Sequence, residues 1–151
     1  MVCAPGSAAL PTGFLRNDME HDSEVRKQMG QLKLACLKIG GKRFQIDDCI
    51  LGDLSDELNR TDWQKFSGRR GKVRIRRIRS CKGFKMEPCH CHNNAAVVAT
   101  ERGWELWTGM ALSDDGVWRV HSWVRIPSTG TIGETTMSRV VYYGVRLRLW
   151  G

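Results

Sequence analysis

The densest chemistry in this sequence is the run Pro88-Cys89-His90-Cys91-His92-Asn93-Asn94, which sets two thiols and two imidazoles in four consecutive positions. These are zinc-ligand types, and a thiolate is also an effective nucleophile. A zinc knuckle takes two ligands a few residues apart and a second pair elsewhere. Here neighbouring residues must point in different directions, and the distant candidates Cys36, Cys49, Cys81 and His121 form no second paired motif. The expected site therefore holds no metal, and its chemistry needs no cofactor.

A nucleophilic cysteine fits the surroundings better. The apolar run Ala95-Ala96-Val97-Val98-Ala99 predicts a short buried helix over residues 91–102, with Gly103 as its C-terminal cap. A thiolate at a helix N-terminus is stabilised by unpaired backbone N–H groups, and those groups can also hold an oxyanion. Cys91 is preferred over Cys89 because Asn94 and the apolar run follow it in helical register. Asn94 either donates to the oxyanion or ties down the helix start. A base must come from elsewhere. His121 lies mid-strand among apolar residues in Trp118-Arg119-Val120-His121-Ser122-Trp123, and it reads as that base or as a hydrogen-bonded core histidine. Glu134, in Ile132-Gly133-Glu134-Thr135-Thr136, falls on the next strand. Adjacent strands bring same-face side chains within reach, so Glu134 reads as the group orienting the imidazole or as an exposed strand glutamate. Trp107, Trp118 and Trp123 read as substrate-cleft walls or as core.

The order of a cysteine on a helix, a histidine on a strand and an acid on the next strand is similar to that of the papain-like superfamily. His121-Ser122-Trp123, a turn, and Glu134-Thr135-Thr136 resemble the transglutaminase-like pattern of His-x-Trp followed by acid-x-Thr, with Glu134 standing where aspartate is usual. Cys91-His92-Asn93-Asn94-Ala95 and the Trp118–Trp123 segment also resemble small uncharacterised bacterial and phage proteins. The resemblance spans roughly residues 88–145. It implies a hydrolase of thiol-protease type in which Cys91 is nucleophile, His121 base and Glu134 orienter. The reaction is acyl transfer through a thioester on a protein or peptide substrate: peptidase, amidase or glutamine deamidase chemistry.

The elements that must hold these residues read as one α+β domain over residues 23–151, behind a flexible arm over 1–22 rich in Ala, Pro, Gly, Ser and Thr. Val25, Met29, Leu32 and Cys36 recur at helical spacing and predict a helix over 24–38, ended by Gly40-Gly41. A strand is expected over 43–51 and a second helix over 53–66. After the cysteine-led helix, strands over 104–112, 117–126, 131–136 and 139–150 form an antiparallel meander separated by Gly- and Pro-containing turns. The expected fold is thus short N-terminal helices and a basic strand, then a buried cysteine-led helix packed on the meander. The resemblance makes that core papain-like or transglutaminase-like.

The chain of 151 residues carries a net charge of +8, which favours acidic partners. The charge concentrates in residues 65–79. There Val73 and Ile75 alternate with Lys72, Arg74 and Arg76, and Arg70 and Arg77 flank them. This reads as a phosphate-binding stripe for nucleic acid, or as a solvated edge strand kept from aggregating by its charges. The alternative function is accordingly a basic nucleic-acid-binding or host-protein-binding factor without catalysis. Residues 1–14 lack a long apolar core behind a basic start, and no stretch approaches the roughly 20 apolar residues of a membrane span. A cytoplasmic location with reduced cysteines, and no membrane partner, is the expectation; the sequence leaves the oligomeric state open.

Overall fold

Helix α1 (Leu15–Ile39) opens the part of the chain described by the computed structural model, which covers residues 15–45, 54–68, 72–81 and 83–148. The helix takes in residues 15–22, the last eight of the expected flexible arm; residues 1–14 lie outside the described residues. Val25, Met29, Leu32 and Cys36 form its buried stripe, as their spacing predicts. The stripe packs on Phe44, Leu54, Met110, Leu112, Trp118 and Val141. Gly41 follows the helix at φ 82°, where a Cβ would lie 2.7 Å from Leu112 Cδ1 and 2.9 Å from Trp118 Nε1. Only glycine fits that turn, and it lets Trp118 Nε1 donate to Gly40 O at 2.9 Å.

Strand β1 (Arg43–Phe44) is shorter than the strand expected over 43–51; residues 46–51 lie outside the described residues. Of the helix expected over 53–66, the described part keeps helix only at Leu54; turns follow over 55–59 and strand over 64–67. Leu54 O accepts from Glu57 N and Leu58 N, which closes a single turn, and Trp63 Nε1 donates back to Glu57 O at 3.1 Å. Strand β2 (Gln64–Ser67) follows, because Phe66 packs edge-on against Trp107 with ring centroids 5.0 Å apart. Tertiary packing of an aromatic residue overrides the helical spacing of Leu54, Leu58 and Trp63. Basic strand β3 (Ile75–Arg77) leads into a small hairpin of β4 (Ser80–Cys81) and β5 (Phe84–Lys85).

Helix α2 (Cys91–Arg102) has the expected bounds, and Gly103 caps it in the left-handed conformation. Asn94, Ala95, Val98 and Ala99 are its buried face, packed with Leu106, Val124, Ile78 and Met86. Four strands follow: β6 (Glu105–Leu112), β7 (Val117–Arg125), β8 (Ile132–Glu134) and β9 (Val141–Leu147). They are not a simple meander. β9 returns past β7 to pair with the far side of β6, giving the order β2-β9-β6-β7-β8-β3. The sheet is also mixed, since β3 runs parallel to β8, and β1 runs parallel to the start of β7. The fold is α+β, with two helices among the described residues and one curled sheet. No helix among them is long and apolar enough to cross a membrane.

Both helices lie on one face of the sheet. Leu106, Thr108, Met110 and Leu112 stand opposite Val124, Ser122, Val120 and Trp118 on that face, with α2 over the Leu106 end and α1 over the Leu112 end. The other face curls around Trp107, Ala111, Trp123, Ile132 and Tyr142. Gly109 and Gly144 are paired at the centre of the curl. A Cβ on Gly144 would sit 2.3 Å from Thr108 O and 2.6 Å from Trp123 Cη2. The strands come too close there for any side chain.

Candidate active site

The outer edge of β7 is paired in two places with a gap between them. β1 pairs at Val117 and Trp118, β8 pairs at Val124 and Arg125, and among the described residues no strand pairs with residues 119–123 on that edge. The N-terminus of α2 lies against that stretch, and Cys91 and His121 line the same two cavities, close enough for the His121 ring and the Ser122 N–H to shift the ionisation of the thiol.

His121 is 2 % exposed and held on the curled face between Trp123 and Tyr142, its ring centroid 6.1 Å from the first and 6.0 Å from the second. Its Nε2 lies 3.0 and 2.9 Å from the two carboxylate oxygens of Glu134. Nδ1 is then the nitrogen left for the thiol. Glu134 is fully buried and accepts four donors: the imidazole, Thr136 N–H at 3.1 Å, Thr136 Oγ1–H at 3.1 Å and Tyr142 O–H at 2.7 Å. A buried carboxylate is tolerated only when its lone pairs are filled in this way.

The electrostatics follow from that geometry. Burial alone would push the Cys91 thiol up. The hydrogen bond and charge of His121, with Ser122 N–H, outweigh burial and bring it below its ordinary value. Burial alone would depress His121, but Cys91 and Glu134 favour its cation and raise it. Burial would raise Glu134, but the imidazole, Tyr142 hydroxyl and Thr136 amide hold it below the usual carboxylate range. The contrast is Cys36, buried among apolar groups and pushed up to about 12.

The loop before α2 distinguishes the two candidate thiols. Asn94 Nδ2 donates to Glu87 O at 2.8 Å and its Oδ1 accepts from Glu87 N–H at 3.4 Å, so this side chain ties down the helix start rather than facing an oxyanion. Cys89 sits at φ 65° and is exposed, with the tied loop turning through it. Cys91, half-buried, meets the imidazole. On the helix-bearing face a polar chain missed in the sequence runs from His92 Nδ1 to Ser122 Oγ at 3.0 Å and on to Thr108 Oγ1 at 3.0 Å. A small pocket of about 170 Å³ lies beside it.

A larger cleft of about 610 Å³ opens over Cys91 and His121, lined also by Arg77, Met86, Thr135 and Met137. Trp107, Trp118 and Trp123 do not line it. They are buried, because strand alternation turns Trp118 under α1 and stacks Trp107 on Trp123 at 6.5 Å in the curl. Trp123 instead packs beside the His121 ring. Lys72, Arg74, Arg76 and Arg77 are exposed, and Arg70 lies outside the described residues. Tyr142 is a site residue that sequence reasoning missed, since its place beside Glu134 is decided by the return of β9 to β6. Among the described residues, no group of three or more His, Cys, Asp or Glu side chains is arranged to hold a metal ion. Cys36, Cys81, Cys89 and Cys91 are free thiols.

Comparison with protein-family models, with curated proteins and with solved structures finds no match to this chain.

Proposed function

We propose that this protein is a cysteine-dependent acyl-transfer enzyme of peptidase, amidase or glutamine deamidase type. The observation that carries the reading is the buried His121 ring, held by Glu134 through Nε2 and lining the same cleft as Cys91. The same order of groups underlies the resemblance to the papain-like and transglutaminase-like enzymes.

In the reaction the Cys91 thiolate attacks an amide carbonyl carbon and a C–S bond forms. The imidazolium of His121 gives its proton to the leaving amine as the C–N bond breaks, which leaves a thioester. Water, deprotonated by the now neutral His121, attacks the thioester; the C–S bond breaks and the acid is released with the thiol restored. Backbone N–H groups of the first turn of α2 are the donors nearest the developing oxyanion. Glu134 holds the ring orientation and stabilises the cation, and Tyr142 and Thr136 hold Glu134.

The test is trapping with a peptide vinyl sulfone, followed by mass mapping of the modified thiol. Modification concentrated on Cys91, lost in Cys91→Ala and strongly slowed in His121→Ala, is the expected result. Equal modification of Cys91 and Cys89 at the rate of an ordinary thiol would sink the reading.

A further inference from the structure

The basic stripe and the thiol meet in the sheet. β3 pairs with β8 in a register that sets Arg77 opposite Glu134, so the exposed basic strand runs beside the strand that carries the acid of the site. Arg77, Arg119 and Arg139 all line the cleft over Cys91, and no carboxylate is among the described residues lining it. Arg119 is drawn outward to Asp115 at 2.7 Å. Among the described residues the Arg139 guanidinium bonds neutral groups, Ser113 Oγ at 2.7 Å and Met137 O at 3.0 Å, which leaves its charge for an incoming anion.

Two further features describe what lies between the arginines. Met86, Pro88 and Met137 give the cleft an apolar floor, with Met137 61 % exposed. Methionines of this kind adapt to varied side chains. Thr135 also lines the cleft, is 3 % exposed, and its hydroxyl has no hydrogen-bond partner.

We infer that the cleft takes an acidic stretch of polypeptide, whose glutamate or aspartate side chains meet Arg77 and Arg139 while its backbone crosses Cys91. This inference rests on the acyl-transfer reading and names its substrate class. Nucleic acid fits less well. Single strands are held by aromatic faces stacked on bases, whereas the exposed large hydrophobic side chains among the described residues are Leu34, Val97 and Met137.

The experiment measures binding apart from chemistry. Fluorescein-labelled glutamate-rich and lysine-rich peptides of equal length are titrated into the full-length Cys91→Ala protein and followed by anisotropy, with a single-stranded DNA oligonucleotide as a third probe. The glutamate-rich peptide should bind at least about tenfold more tightly than the lysine-rich one. Arg77→Glu should erase most of that preference, and added salt should weaken it without any substitution. No preference between the peptides, or one that survives both Arg77→Glu and salt, overturns the inference. Tighter binding of the oligonucleotide than of the glutamate-rich peptide overturns it too. Failure of the acyl-transfer reading shows separately, as a Cys91 thiol in the unmutated protein no more reactive than Cys89.

Discussion

Tyr142 on β9 donates its hydroxyl hydrogen to Glu134 on β8 at 2.7 Å, although two strands, β6 and β7, stand between them in the sheet. Only a curled sheet brings them together, and the segment joining β8 to β9 closes the curl, where Arg139 N–H donates to the same tyrosine oxygen at 3.1 Å. Tyr142→Phe removes one of four donors from a buried carboxylate. The expected cost is about 1–3 kcal/mol, read as a fall in melting temperature of roughly 2–4 °C per kcal/mol. Alkylation of Cys91 should slow, but less than in His121→Ala. An unchanged melting temperature would show that the hydroxyl does not support the carboxylate.

The thiol and the ring titrate as a pair, and the reactive thiolate–imidazolium form exists above the lowered value of Cys91 and below the raised value of His121. Iodoacetamide labelling of Cys91 should therefore begin at lower pH than for an ordinary thiol. Acyl transfer, which also needs the imidazolium as acid, should fall again as pH rises through the His121 value. In His121→Ala the burial remains while the cation and hydrogen bond are lost. The labelling rise should then move to higher pH, and the rate at neutral pH should drop on the order of a hundredfold.

Glu134 has a depressed value in the folded protein, so its contribution to stability is fully present above the ordinary carboxylate range and is lost as pH falls through the folded value. His121 acts in the opposite sense: its raised value stabilises the fold at low pH, and that contribution is lost as pH rises through the folded value. Thermal melts of the wild type should thus weaken as pH drops below the carboxylate range. Glu134→Gln should melt lower at neutral pH and show a shallower decline on acidification. A variant curve parallel to the wild type would mean that Glu134 contributes nothing to the acid limb.

The sequence made some of this legible and hid the rest for physical reasons. The helix over 91–102 was readable because Ala95, Val98 and Ala99 share one face and Gly103 ends it, all within twelve residues. The α1 stripe was equally local. The pairing of Cys91, His121 and Glu134 was readable as an order of residue types, while their meeting depends on where α2 docks along β7 and on the pairing of β8 with β7, neither of which is written locally. The return of β9 to β6 leaves no local mark. The one sign of it is the pair Gly109 and Gly144, whose opposition emerges only once the register is known. The tryptophans were ambiguous between wall and core because strand alternation alone does not say which face is covered.

Gly144→Ala tests that crossing. The added Cβ would meet Thr108 O at 2.3 Å and Trp123 at 2.6 Å, and the backbone oxygen has nowhere to go. A loss of several kcal/mol is expected, at or beyond the upper end of the usual overpacking range of about 1–3 kcal/mol. Trp123 would be displaced from the His121 ring. Tryptophan fluorescence and melting temperature should change together. A variant with wild-type stability would show that the β6–β9 register differs from the one described.

Cys89 occupies a left-handed backbone position that costs a non-glycine residue about 1–2 kcal/mol. Cys89→Gly should leave the melting temperature unchanged or raised and should keep the fast-labelling thiol. Disappearance of the fast thiol would move the nucleophile from Cys91 to Cys89.

The gap in the edge of β7 carries a consequence for the newly made chain. Cys91 becomes activated only when α2 has docked against residues 119–123 and the curl has delivered Glu134 to His121, steps that join segments distant in sequence. Until then the sulfur is an ordinary thiol with no partner to ionise it. On the proposed reading, the chain gains its reactive thiol only when these long-range contacts have formed. A pulse of alkylating reagent during refolding would clock that final assembly on the very atom proposed to do the chemistry.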